Sequence, residues 1–487
     1  MNGAEISVVA GVPKGLLIGG EWVEAAGGAQ LAVENPANSE VLAMVADAGP
    51  AEALEALAAA SRAQAGWAKT PPRTRAEILR AAFEEIMRRQ EELSLLMTLE
   101  MGKPLAESRG EVAYAAEFFR WFSEEAVRIN GDFYISPDGN TRVLTTRAPV
   151  GPSLLITPWN FPLAMGTRKI GPALAAGCTV VLKPAKQTPL CSLALAGILI
   201  GAGVPKGVVN VITTSNPGAV TDVLVSDDRL RKLSFTGSTE VGRELMAKSS
   251  QHLLRLSMEL GGNAPLIVFE DADLDKAVDG AMLAKMRNMG EACTAANRIM
   301  VHRSIAGEFS LRLGERMERL KVAEGTDPTA EVGPLIDQAA VSKVTALVAD
   351  ALGHGAEVVV GGSRIGDRGY FFAPTVIRGV PRHSRMFSEE IFGPIAPVYE
   401  FDSDAEAIEM ANSTSYGLVA YIFTESFSRA HRTIEALDTG MIGVNQGFVS
   451  NAAAPFGGVK HSGFGREGGF EGIHEYLTVK YAALNLG

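Results

Sequence analysis

Apolar residues recur at intervals of three and four over residues 51–69, 73–101 and 105–130. That spacing puts them on one helix face, so the first third of the chain is expected to be mostly helical. Pro71-Pro72 separates the first two segments and Gly102-Lys103-Pro104 the next pair. From about residue 150 the rhythm changes. Short β-rich runs at 153–156, 179–182, 208–212, 232–235, 253–258 and 266–269 alternate with helical patterns at 163–176, 188–202, 217–225 and 239–249. Such alternation predicts a parallel sheet covered by helices. A second alternating stretch runs from about 273 to 465. The expectation is an α/β protein with two α/β domains. Residues 478–487 read as a strand that leaves the body, placed to pair with a partner subunit.

Composition narrows this picture. The chain has 487 residues, 47% of them apolar and 21% charged, as in soluble globular proteins. Its formal charge of −11 and the lack of any Lys/Arg run argue against nucleic acid or an anionic membrane as the main partner. A few local arginines can still make a cleft positive. The three cysteines, Cys178, Cys191 and Cys293, are widely spaced and odd in number, which excludes a disulfide framework and a Cys-based zinc site. No metal is expected. The first residues lack a basic start and a small-residue cleavage site. The longest apolar run, 193–204, has 12 residues and three glycines, too short to span a bilayer. A cytoplasmic location is expected.

Two glycine clusters could face a phosphate. Gly201 to Gly207 follows a helix and precedes a strand, the reverse of a dinucleotide-binding turn, and reads as an ordinary connection. Phe235-Thr-Gly-Ser-Thr-Glu-Val-Gly242 ends a strand and opens a helix. Ser238 or Thr239 can cap that helix, whose free N–H groups can meet an anion. Trp159 and Lys183 also stand just past strand ends, where open α/β sheets bind ligands.

Three residue types point to acyl chemistry. Cys293 lies in a small-residue loop after a helix and is expected to be exposed. Cys178 opens an apolar strand and reads as inert, whereas Cys191 opens a helix that could lower its pKa but has no neighbouring base. Glu259, at a strand end before Gly261-Gly262, is either a mobile general base or a solvated acid. Asn160, between Pro158 and Pro162, is either an oxyanion donor or an Asn serving its own turn.

Together these motifs resemble the aldehyde dehydrogenase superfamily. The matching stretches are Pro158-Trp-Asn-Phe-Pro162, Lys183-Pro184, Phe235-Thr-Gly-Ser238, Glu259-Leu-Gly-Gly262, Gly290-Glu-Ala-Cys293, Glu390-Ile-Phe-Gly-Pro394 and Pro455-Phe-Gly-Gly458, in family order from about residue 14 to the end. The resemblance implies a cofactor-binding and a catalytic Rossmann-like domain with a small β oligomerisation element. The boundaries expected are 1–130 with 150–261 for the NAD(P)-binding domain, 262–465 for the catalytic domain, and 131–149 with 470–487 for the oligomerisation element. A homodimer or homotetramer is implied. So are Cys293 as nucleophile, Glu259 as the base for thioester hydrolysis and Asn160 as oxyanion donor. Glu390 would hold the nicotinamide ribose, Phe392 would position the ring and Lys183 would reach the adenosine ribose. Trp159 and Ser238 would line the cofactor path, with Thr157, Phe235, Gly237, Gly242 and Leu260 in the same site. Many NAD-preferring relatives carry a glutamate where this chain has Lys186. Losing that repulsion toward a 2′-phosphate makes NADP the expected cofactor, with NAD the alternative.

Within the superfamily, Thr167–Cys178, Arg231–Arg243 and Ala264–Val278 look most like the succinate-semialdehyde dehydrogenases. There, two arginines and a serine bind the substrate's distal carboxylate, and the matching positions are Arg168, Arg287 and Ser450. A guanidinium suits that task because it is always charged and can bond in two places. Without that role, Arg168 and Arg287 would be a helix-surface arginine and a structural ion pair. Some relatives use a second cysteine two residues after the nucleophile as a redox switch, and here Ala295 removes it. Glutarate semialdehyde, another ω-carboxy aldehyde or an aliphatic aldehyde would be alternative substrates, since one methylene is worth only about 1–3 kcal/mol. A coenzyme A-acylating relative is disfavoured by Glu259, and a silent structural or binding protein by the presence of both Cys293 and Glu259.

Overall fold

A computed structural model describes residues 1–485; Leu486 and Gly487, the end of the expected terminal strand, lie outside the described residues. The larger sheet runs, in spatial order, Gly463–Phe464, Arg255–Glu259, Lys232–Thr236, Ser153–Ile156, Val180–Lys183, Val209–Val211, Leu16–Ile18 and Glu21–Val23. Its five central strands are parallel. Ser153–Ile156 and Val180–Lys183 are buried throughout, as strands covered on both faces must be. A second sheet of seven strands carries Ala264–Val268 and Ala296–His302 near its centre, between Ile395–Phe401 and Val419–Phe423. Leu477–Leu484, Arg142–Pro149 and Phe133–Ile135 form a separate three-stranded antiparallel sheet. The chain passes from the first large sheet to the second through Leu260-Gly261-Gly262-Asn263, so Glu259 ends one sheet and Ala264 begins the next.

Helices Pro72–Arg88, Leu105–Glu125 and Ala164–Ala176 pack together, and Ala164–Ala176 lies against strands Ser153–Ile156 and Val180–Lys183 of the larger sheet. Phe118, Phe119 and Phe122 are fully buried between them. Gly171 allows this approach, because a Cβ there would lie 3.1 Å from the Phe122 ring.

The strands and helices expected from 153 to 269 form within a few residues of their expected limits. Two expectations fail. The stretch 73–101 is two helices, Pro72–Arg88 and Gln90–Met101, with Arg89 off helical geometry at their junction. Both pieces keep the same apolar period, so spacing alone does not reveal the break. The first 46 residues also hold two unexpected hairpins, Leu16–Ile18 with Glu21–Val23 and Gln30–Asn35 with Glu40–Ala46. Gln30–Asn35 alternates strictly between exposed and buried residues, the one signal that would have revealed it.

Candidate active site

Cys293 follows a strained turn. After helix Leu274–Met286, Asn288, Met289 and Gly290 all take positive φ, at 56°, 55° and 76°. Such a run of left-handed residues is costly and persists only where the surroundings hold it. Here the Asn288 Nδ2 donates to the carbonyls of Asn160 at 3.1 Å and Glu291 at 2.9 Å. The Tyr421 hydroxyl donates to the Thr294 carbonyl at 2.9 Å. The thiol is therefore held on a fixed loop and is only partly accessible, not exposed as expected from sequence. Surrounding protein shields it from bulk water and pushes its pKa up to about 12, with Glu390 and Glu259 adding to the rise against Arg168 and Arg287.

Asn160 sits in the turn after strand Ser153–Ile156, at the mouth of helix Ala164–Ala176. Its Nδ2 donates to the Glu291 carbonyl at 3.0 Å, which engages one of the two amide hydrogens. Its position is set by a buried ion pair that the sequence did not reveal. Lys103 pairs with Glu111, and the Lys103 Nζ also donates to the Asn160 carbonyl at 2.8 Å. Glu111 in turn accepts the N–H groups of Leu163 and Ala164, at 3.0 and 3.1 Å, at the helix start.

One cavity of about 360 Å³ brings most of the expected residues together. Cys293, Asn160, Trp159, Gly237, Ser238, Leu260, Glu390, Phe392, Arg168, Arg287 and Ser450 all line it. Tyr114, Thr236, Lys343 and Phe456, which sequence reasoning missed, line it too. Glu259 does not. It lies buried behind the wall with both carboxylate oxygens lacking a hydrogen-bond partner. Burial drives its pKa well above the usual range, and nearby Glu467 raises it further while Arg168 and Lys169 oppose. A solvated strand-end acid is thereby excluded.

Thr157, Lys183, Lys186, Phe235 and Gly242 also lie outside the cavity wall. Thr157 donates its N–H to the Lys183 carbonyl at 3.2 Å. Lys183 is buried, which lowers its amine to about 8, whereas Lys186 is exposed. Phe235 and Gly242 act from behind. A Cβ on Gly237 would lie 2.5 Å from the Phe235 ring, and one on Gly242 would lie 2.5 Å from Leu260.

At the cofactor-type wall, Ser238 caps helix Thr239–Ser249. The rings of Trp159 and Phe392 meet edge-on at 5.4 Å. Glu390 accepts the Gly262 N–H at 3.0 Å, and burial raises its carboxyl to about 7. The buried Thr236 hydroxyl has no partner. A free hydroxyl, open helix N–H groups and flat apolar faces fit the nicotinamide half of a dinucleotide.

The other wall is charged. Arg168 is buried on helix Ala164–Ala176, ion-paired with Glu467 and stacked over the Phe456 ring at 4.2 Å. Burial opposes its charge, but Glu467 prevails and holds the guanidinium above its usual pKa. The Arg168 Nη2 is buried without a carboxylate or carbonyl acceptor, and the Tyr114 hydroxyl lies beside the guanidinium. Arg287 donates to the Thr294 Oγ1 at 3.1 Å and lies between the rings of Phe161 and Phe448, each at 5.0 Å. Arg168 is therefore not a helix-surface arginine.

The remaining thiols behave differently. Cys178 is buried against the Tyr476 carbonyl at 3.4 Å, as expected. Cys191 does not have a lowered pKa. It is raised, because burial and then the adjacent Glu100 carboxylate disfavour a thiolate more than the helix start favours it. Gly201 to Gly207 is a helix-to-strand turn, as read from its context. Among the described residues no cluster of His, Cys, Asp and Glu is arranged to hold a metal, and no helix is long and apolar enough to cross a membrane.

A helix-flanked parallel sheet joined to a second sheet, with a shielded cysteine in the loop that leads into it, defines a Rossmann-like domain coupled to a second α/β domain. The chain belongs to the aldehyde dehydrogenase family, whose model matches residues 22–482. It is 56% identical over 444 residues to a succinate-semialdehyde dehydrogenase of Paenarthrobacter nicotinovorans, covering 91% of this chain and 99% of that one. It is 47% identical over 469 residues to a glutarate-semialdehyde dehydrogenase of Pseudomonas putida, covering 96% and 97%. A crystallised NADP-dependent enzyme of Escherichia coli superposes with a TM-score of 0.96 at 49% identity, covering 98% of each chain.

Proposed function

We propose that the protein oxidises succinate semialdehyde to succinate with NADP, and with NAD less well. The carrying observation is that Cys293, Asn160, Arg168 and Tyr114 share one cavity. Cys293 releases its thiol proton to water in the cavity, with Arg168 and Arg287 favouring the thiolate, and the sulfur attacks the aldehyde carbon; the resulting oxyanion is held by the second amide hydrogen of Asn160 and the Cys293 backbone N–H. The nicotinamide cofactor, when bound, supplies the hydride acceptor. The residues that would hold it in the cavity are Trp159, Thr236, Gly237, Ser238, Leu260, Glu390 and Phe392. Lys183 and Lys186 would serve the adenosine ribose and its 2′-phosphate. Loss of hydride leaves a thioester on Cys293. Glu259 swings forward from its buried position beside Glu467, deprotonates water and releases the acid.

The distal carboxylate of the substrate takes the free Arg168 Nη2 edge, with Tyr114, Arg287 and Ser450 around it. Glu467 already occupies the other side of Arg168, so the substrate meets a guanidinium held in place. Glutarate semialdehyde is the second reading, supported by the Pseudomonas putida relative. We further propose the domain limits 1–130 with 150–261, 262–465, and 131–149 with 470–487, and a cytoplasmic homodimer or homotetramer. Exposed Phe133, Tyr134, Ile135, Val479 and Tyr481 on the three-stranded sheet support subunit contact there. Incubation with succinate semialdehyde and NADP in the absence of coenzyme A tests the reaction. NADPH and succinate should form in equal amounts, and a strict requirement for coenzyme A would overturn the hydrolytic reading.

A further inference from the structure

The buried amine of Lys285 takes no part in the steps above. Lys285 lies in the last turn of helix Leu274–Met286 with none of its surface exposed. Burial lowers its amine to about 7. An amine so placed is costly unless it is used for bonding. Its Nζ donates to the Asn297 Oδ1 at 3.1 Å, and the Asn297 Nδ2 donates to the Gly262 carbonyl at 3.4 Å. The Gly262 N–H then donates to Glu390. Gly262 also abuts the nucleophile loop, since a Cβ there would lie 2.3 Å from the Cys293 carbonyl oxygen. Gly290, just before that loop, packs against the carbonyls of Gly393 and Lys285. The turn held by Lys285 and Asn297 therefore touches the Cys293 backbone on one side and the Glu390 carboxylate on the other.

We propose that Lys285 is a positioning residue that acts through Asn297, fixing the Gly261-Gly262 turn so that Glu390 faces the nicotinamide ribose. This rests on the reading that Glu390 holds that ribose. A merely structural lysine would act on stability alone. Lys285→Met keeps an apolar side chain of similar length but leaves the Asn297 Oδ1 without its donor and takes a cation away from Glu390, so a modest fall in melting temperature is expected and the cofactor readouts decide the role. Asn297→Asp keeps an acceptor for Lys285 but removes the donor to Gly262, and it serves as the test if Lys285→Met does not fold. The purified full-length proteins are titrated with NADP by quenching of tryptophan fluorescence, and KM is measured for cofactor and for aldehyde. Each variant should raise the Kd and KM for NADP about tenfold while the aldehyde KM stays within about twofold. Glu390→Gln is the reference. If it weakens NADP binding and the other two variants leave it unchanged, the role of Lys285 is overturned. If Glu390→Gln itself leaves NADP binding unchanged, the ribose reading is what fails.

Discussion

The two walls of the cavity are built in opposite ways. On the cofactor-type wall, Trp159, Gly237, Ser238 and Leu260 stand in turns directly after the strands Ser153–Ile156, Lys232–Thr236 and Arg255–Glu259. Each is placed by a few neighbouring residues. On the charged wall, Tyr114 and Arg168 project from the interiors of two packed helices, and Arg168 is balanced by Glu467, which lies far along the chain. The first wall is made by local geometry, which a sequence displays. The second is made by charge pairing across the fold, which a sequence conceals. The first suits a large, invariant cofactor and the second a small, variable substrate.

Three substitutions break this comparison at different points. Cys293→Ala, between the walls, should lower kcat on the order of 10⁴-fold or more while leaving cofactor binding intact by fluorescence titration. Loss of cofactor binding would show that the walls are not independent. Glu259→Gln should lower steady-state turnover about 10³-fold but leave a burst of one equivalent of reduced cofactor, because only thioester hydrolysis needs the base. Its raised pKa has a definite sign. The neutral acid predominates at low pH, so kcat of the parent enzyme should climb as pH rises through that pKa, and a rapid-quench and steady-state pH series should find the rise absent in Glu259→Gln. Lys186→Glu, an exposed position outside the cofactor-type wall, should raise the KM for NADP about tenfold and leave that for NAD within about twofold. Equal effects on both cofactors would remove Lys186 from phosphate recognition.

The same contrast explains what the sequence displayed. The parallel strands from 153 to 269 were legible because buried strands between helices are short, apolar and bounded by glycine. Asn160, Glu390 and Cys293 were found through short motifs in loops. Lys103, Glu111, Tyr114, Glu467 and Lys285 were not, because in the sequence each looks like a solvated residue on an amphipathic helix or in a loop. Only packing shows that Lys103 and Glu111 pair, that Glu467 pairs with Arg168 and Lys169, that Lys285 is buried and that Tyr114 lines the cavity. Glu259 was half legible. Its place at a strand end was clear, but its retreat behind the wall depends on Glu467, Arg168 and Lys169, which meet it only in the fold. The break at Arg89 left no trace in the apolar period.

The central claim is that the charged wall selects an aldehyde bearing a carboxylate. It is tested most directly by kcat/KM for succinic semialdehyde and for butanal, in the parent enzyme and in Arg168→Leu with Glu467→Gln, the double change that removes this ion pair and leaves the buried Lys169 bonded to the Ser234 Oγ. The parent should favour succinic semialdehyde by about 10²-fold, as expected for a charge-assisted hydrogen-bonded site. The double variant should lose most of that preference through a higher KM for the semialdehyde, with the KM for butanal little changed. A parent that shows no preference, or a double variant that loses both substrates equally, would contradict the account.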